Sequence, residues 1–130
     1  MKPLKYEKNH TLYAIKALMT RDYENITIGK LGTFSFQKGL YVYVGSAKRN
    51  LHSRIERHIK LEKTKHWHFD YVRPFLQIVE IETYSGEERE CRLFQRLMTE
   101  NGGHVPIRGF GSSDCHCKAH MFFVPLKQHL

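Results

Sequence analysis

The hydrophobic pattern of the chain switches between two periods. From Thr11 to Met19 it alternates: Tyr13, Ile15 and Ala17 share one face, Leu12, Ala14 and Leu18 the other, with Lys16 interrupting. Its Ala, Leu, Lys and Met would also suit a helix, but the leading Thr, Tyr and Ile favour a strand. Two short alternating runs, Ile26–Ile28 and Thr33–Phe36, flank Gly29-Lys30-Leu31-Gly32 and read as a hairpin. Leu40 to Val44 alternates again, with Tyr41 and Tyr43 opposite Leu40, Val42 and Val44, and Gly45-Ser46 is expected to break that strand. His66 to Tyr71 alternates as an extended segment, with Trp67, Phe69 and Tyr71 turned to the core and His66, His68 and Asp70 away from it. Pro74 opposes a helix interior there. Leu76–Ile81 and His120–Val124 complete the expected strands.

Helical periodicity appears twice. Leu51, Ile55 and Ile59 stand at i, i+4 and i+8 behind Asn50, a residue type that caps helices. Ser85-x-x-Glu88 has the capping-box pattern, so a second helix is expected from Gly86, ending at Gly102-Gly103. Arg89, Arg92, Gln95 and Arg96 line its polar side. These elements predict an α/β (α+β) chain: a small, mainly antiparallel central sheet flanked by helices, with an inserted hairpin. No repeat or linker interrupts it, and residues 1–130 read as one domain.

Two polar placements stand out against this pattern. Arg54 and His58 share a face of the first helix, roughly 60° from its apolar stripe. Taken alone, they describe a solvated basic helix with a boundary histidine. Glu90 lies inside the apolar stripe of the second helix, about 40° from Phe94 and about 20° from Leu97. A carboxylate there needs a cationic partner or a bound cation.

Charge narrows the class of partner. Lys+Arg 21 against Asp+Glu 13 gives +8, with a pI near 9.5. Such a balance favours a polyanion, nucleic acid before an acidic membrane surface. Lys48, Arg49, Arg57, Lys60, Lys63 and Lys65 would track phosphates. The polar, charged first ten residues are not a signal peptide, and apolar runs are too short to span a bilayer, so a cytoplasmic protein is expected. Three cysteines do not make a disulfide scaffold, and the clustering of two of them points to metal or chance rather than oxidation. Cys115 and Cys117 with His120 form a C-x-C-x2-H run of zinc-ligand types.

The string Tyr43-Val44-Gly45-Ser46-Ala47-Lys48, followed by Arg54 and then His58 one turn later, resembles the second half of the GIY-YIG nuclease signature. The first half is matched by Tyr13 in Thr11-Leu12-Tyr13, with Tyr41 in Gly39-Leu40-Tyr41 as its competitor. The hairpin would be an insertion between the two halves. The family's metal-holding glutamate on a later helix corresponds to Glu90, and its further histidine or tyrosine to His66 or His68. The family's asparagine near the end of the module has no counterpart. The likeness covers roughly residues 11–100. With the HWHFDY and FGSSDCHCKAH segments, it resembles a small branch of the superfamily that is sometimes fused to endonuclease III.

The resemblance implies a DNA endonuclease dependent on Mg²⁺ or Mn²⁺, acting in repair or recombination. Glu90 would hold the cation, Arg54 would present its fork to a phosphate oxygen, and Tyr13 or Tyr43 would bond the attacking water. One tyrosine would serve as base, and His58 would assist proton transfer. Two other classes stay open: a non-catalytic nucleic-acid-binding module on the same scaffold, and a zinc-stabilised interaction domain.

Overall fold

The computed structural model describes residues 9–111 and 119–126. Four strands form the main sheet: β1 (Leu12–Met19), β4 (Gly39–Ser46), β5 (Gln77–Tyr84) and β6 (Met121–Pro125), in the order β5-β1-β4-β6 with every pairing antiparallel. The expected hairpin, β2 (Tyr23–Ile28) and β3 (Gly32–Phe36), forms a separate two-stranded sheet. Asn25, at φ 59°, adopts the left-handed backbone where the β2–β3 register shifts.

The register gives the main sheet two distinct faces. Tyr13 pairs with Gly45, Ile15 with Tyr43 and Ala17 with Tyr41, so these residues share one face. Ala14, Val44, Val42 and, through its pairing with Val42, Phe122 lie on the other. Helix α1 (Leu51–Ile59) packs its His58 ring against Tyr13 and Tyr43 on the first face. Helix α3 (Glu90–Glu100) packs Phe94 against Phe122 on the second. The core joins both sheets, and Ile15, Ile28, Ile55 and Leu93 within it are fully buried. Lys16, the interruption in β1, is held at the sheet surface by Glu80 and Glu82 of β5.

Several local expectations are corrected. Strand β4 does not break at Gly45 but runs through Ser46, because Gly45 and Ser46 still pair with Tyr13 and Leu12. Asn50 precedes α1 without a side-chain cap bond, and its contribution is a left-handed backbone at φ 55°. The HWHFDY segment is not extended: His68–Val72 is a short helix, α2, followed by a 3-10 turn over Arg73–Phe75 that takes Pro74 in its first turn. The second long helix starts at Glu90, not at Gly86, and Glu88 bonds Arg96 rather than closing a capping box. Gly102, at φ 64°, ends it as expected. In β5 a register shift opposite Lys16/Ala17 passes over Val79, which brings Ile78 and Ile81 together onto the buried face.

One buried carboxylate organises the segment between α1 and α2. Asp70, 2% exposed, accepts the backbone N–H groups of His66 and Trp67 at 2.7 and 2.9 Å. It also pairs with Arg57 at 3.1 Å and Lys63 at 3.4 Å. Acting from the third position of α2, it supplies one half of a capping arrangement, and this overrides the period-two pattern. Arg57 and Lys63, read from the sequence as phosphate-tracking, are thus engaged by Asp70. Arg57 also donates to Thr64 O, and Lys63 to the carbonyls of Arg57 and His58. Lys48, Arg49, Lys60 and Lys65 remain exposed.

Candidate active site

At the end of β4 an open cavity of about 260 Å³ is lined by Tyr13, Tyr43, Gly45, Ser46, Arg54, His66, Trp67, His68, Glu90, Gly111 and His120. It therefore gathers Tyr13, Tyr43, Arg54, Glu90, His66 and His68. His58 lies directly behind it, bonded to Tyr13. Tyr41 is elsewhere: its hydroxyl donates to Gln37 O and its ring packs on Phe36 and Phe123. Between the two tyrosines weighed for the first strand, Tyr13 is the one at the cavity.

Tyr13 and His58 make one unit. The Tyr13 hydroxyl lies 2.8 Å from His58 Nε2. Burial pushes the His58 ring down to about 3, a little offset by Asp70, so it is neutral at physiological pH. Its Nδ1 is buried with no hydrogen-bond partner among the described residues. Burial raises the Tyr13 hydroxyl above its ordinary pKa, against the opposing charge and hydrogen bond of Arg54. Burial raises Tyr43 likewise; its ring stacks on Phe69 at 4.8 Å, with Phe110 at its edge. Both tyrosines are protonated in the free protein.

The register explains the glycine after Tyr43-Val44. Gly45 stands opposite Tyr13, and a Cβ there would run into the Tyr13 hydroxyl and ring. Gly45→Ala should therefore displace Tyr13, destabilise the fold by about 1–3 kcal/mol and disrupt the Tyr13–His58 bond. Thermal melting and the tyrosine environment by near-ultraviolet circular dichroism check this, and a variant matching the parent in both would refute it.

Besides its hydrogen bond to the Tyr13 hydroxyl, Arg54 is held by two contacts. Its Nη1 donates to Ser46 O at 3.1 Å, and its guanidinium lies 4.6 Å from the centre of the Trp67 ring. Arg57 lies 4.5 Å from the same ring. The remaining N–H groups of Arg54 are available to an anion in the cavity. His68 accepts the Gly111 N–H at Nδ1, 2.8 Å, which ties α2 to the far wall, and burial lowers its pKa.

Glu90 is the first residue of α3, not a mid-helix residue, and its side chain is 23% exposed. Its Oε1 lies 2.8 Å from His120 Nδ1. Burial alone would raise its carboxyl, but hydrogen bonds from His120 and Ser46 and the charge of Arg54 hold it below the usual range. The helix N-terminus favours that negative charge. Among the described residues no group of three or more His, Cys, Asp and Glu gathers as a ligand set. One ionised carboxylate in an open polar cavity is nevertheless a donor set that fits Mg²⁺ or Mn²⁺, which complete their shells with water and phosphate oxygens.

Residues 12–130 match the profile of a family described as a domain of unknown function, DUF123. The chain belongs to the DUF123 family. No curated protein and no solved structure matches it.

In this DUF123 chain three participants escape a reading of the sequence. Trp67, expected in the core, stacks with Arg54 and Arg57 at the cavity. Ser46, expected in a turn, bonds Glu90. His120, read as a possible zinc ligand, meets Glu90, with its Nε2 3.8 Å from Cys91 Sγ. The other two members of the zinc set, Cys115 and Cys117, lie outside the described residues. Cys91 is disulfide-bonded, where the sequence had argued against oxidation. Among the described residues no helix is long and apolar enough to cross a membrane.

Proposed function

We propose that this DUF123 chain is a divalent-metal-dependent DNA endonuclease of GIY-YIG type, nicking DNA in repair or recombination in the cytoplasm. The observation that carries this reading is one cavity holding Tyr13, Arg54 and Glu90, with His58 bonded behind Tyr13. These residues come from β1, α1 and α3, three elements far apart in the chain.

Arg54 binds a non-bridging oxygen of the scissile phosphate and offsets the charge that grows there. The Tyr13 hydroxyl orients the attacking water. As that water loses its proton to Tyr13 Oη, Tyr13 passes its own to His58 Nε2. This relay needs a neutral His58 with its proton on Nδ1, and burial keeps the ring neutral. The relay spares Tyr13 from existing as a phenolate beforehand, which burial opposes. Glu90 would hold Mg²⁺ or Mn²⁺, which when bound supplies Lewis acidity at the phosphate. Trp67 and Ser46 O keep Arg54 in place for the phosphate.

The exposed cations Lys48, Arg49, Lys60 and Lys65 are assigned to the DNA backbone. Affinity for duplex DNA should fall steeply with salt. Each of these four changed to Ala should lower the salt slope by about 1. Nicking measured over duplex, flap, branched and damaged DNA, with and without Mg²⁺, tests the activity. Salt-dependent binding without metal-dependent cleavage of any of them would make the chain a binding module. Absence of binding at low salt would end the nucleic-acid reading.

A further inference from the structure

We propose that His120 is a positioning residue for Glu90, a role that rests on the reading of Glu90 as the cation-holding carboxylate. An ionised carboxylate only accepts hydrogen bonds. Across the 2.8 Å contact the proton therefore belongs to His120 Nδ1, which donates to Glu90 Oε1. That leaves Nε2 facing Cys91 Sγ.

The imidazole is rigidly mounted. His120 is 4% exposed, and it lies between Ala119 and Met121, both fully buried. Its N–H donates to Phe110 O at 2.7 Å, and its carbonyl accepts from Val44 N at 2.8 Å. The second bond ties it to β4 one residue before Gly45. Its ring packs toward Phe94, one turn beyond Glu90 on α3. Donor and acceptor are thus carried on two elements clamped together by Phe94 and Phe122.

Glu90 needs such a partner. It stands at the first position of a helix, part-exposed, on a side chain with three rotatable bonds. Of the roughly four lone-pair sites of a carboxylate, His120 takes one and Ser46 another. The others stay available to a hard cation. Hydrogen bonds of this kind, one shell out from a metal, set the ligand's orientation, and their loss typically weakens metal binding 10–100-fold.

Two substitutions separate positioning from packing. His120→Leu keeps much of the volume and removes the donor. His120→Asn restores an N–H donor close to the position of Nδ1. Mn²⁺ binding to the purified chain, read as loss of the free-ion paramagnetic resonance signal, needs no catalysis. Melting curves on the same preparations give the folded fraction. The expected result is a Kd for Mn²⁺ raised about 10–100-fold in His120→Leu at equal folded fraction, and recovered to within a few-fold in His120→Asn. The metal concentration for half-maximal nicking should shift in parallel. His120→Leu that binds Mn²⁺ like the parent once corrected for folding overturns the inference while leaving Glu90 in its role. So does His120→Asn no better than His120→Leu. A parent chain that takes up no Mn²⁺, or a Glu90→Gln chain that binds it unchanged, overturns the reading of Glu90 and the inference with it.

Discussion

Glu90→Gln should abolish Mg²⁺-dependent nicking, by on the order of a hundredfold or more, and leave DNA binding largely intact. Glutamine keeps the length and shape of the side chain and an oxygen for His120 to bond, so the contact at the start of α3 survives. What disappears is the negative charge, which His120, Ser46 and Arg54 hold in the ionised form against burial. A hard cation bound through one protein carboxylate has little reason to stay once that oxygen is neutral. Arg54→Ala should lose cleavage by a similar factor for a different reason, since it would remove the donors that the proposed mechanism assigns to the growing phosphate charge. A purely structural Glu90 predicts the reverse pattern: a lower melting temperature, and activity in proportion to the folded fraction. Melting, binding and cleavage on the same preparations separate the two. A well-folded Glu90→Gln chain that cuts at the parental rate removes Glu90 from the mechanism.

Asp70→Asn should produce the largest loss of stability, about 3 kcal/mol, the lower end of what breaking a buried ion pair costs. The lower end applies because Arg57 is 29% exposed and is partly rehydrated when its partner goes. A loss of this size lowers the melting temperature by about 10 °C for a chain this long. The effect should depend on pH. Burial would raise the Asp70 carboxyl, but the amides of His66 and Trp67, with Lys63 and Arg57, bring it below its ordinary value. Its contribution is therefore full above the unfolded pKa near about 3.9 and is lost as pH falls through the lower folded pKa. Parent and variant should converge in melting temperature under strongly acidic conditions and diverge above about pH 4. A constant gap across that range would show that the ionised form is not what stabilises the segment. Trp67 and His66 line the cavity from this same segment, so the folded fraction of Asp70→Asn should also hold Arg54 less well.

Much of the architecture is legible in the residues. Leu12–Met19 and Gly39–Ser46 are legible as strands because both of their faces are buried, so each reads as a short, nearly continuous run of apolar and aromatic residues. The stripe Leu51, Ile55 and Ile59 specifies α1. Glu90 was nameable from its place in an apolar stripe, whereas Tyr13, Arg54 and His58 were nameable only through the resemblance of their strings to the GIY-YIG signature.

His66–Tyr71 shows where that legibility stops. Its alternating aromatics suit a strand, but the segment pairs with neither β5 nor β6 at the edges of the sheet. The carboxylate of Asp70 instead finds two amides within four residues and two cations from α1 and the segment after it, and these contacts turn the chain into a helix. Long-range partners decided the rest. Gly45 must be glycine because Tyr13 crosses it from a strand more than 30 residues earlier. Arg57 and Lys63 are committed to Asp70, although their place in a basic run looks the same as that of Lys60 and Lys65. His120 meets Glu90 across 30 residues of sequence, and nothing in the C-x-C-x2-H spacing encodes that contact. The sequence by itself determined which segments are strands and helices where burial is periodic, and which residues are chemically able to act. The tertiary structure alone decided which polar side chains meet, because a hydrogen bond or ion pair depends on a few ångströms between elements that no local pattern records.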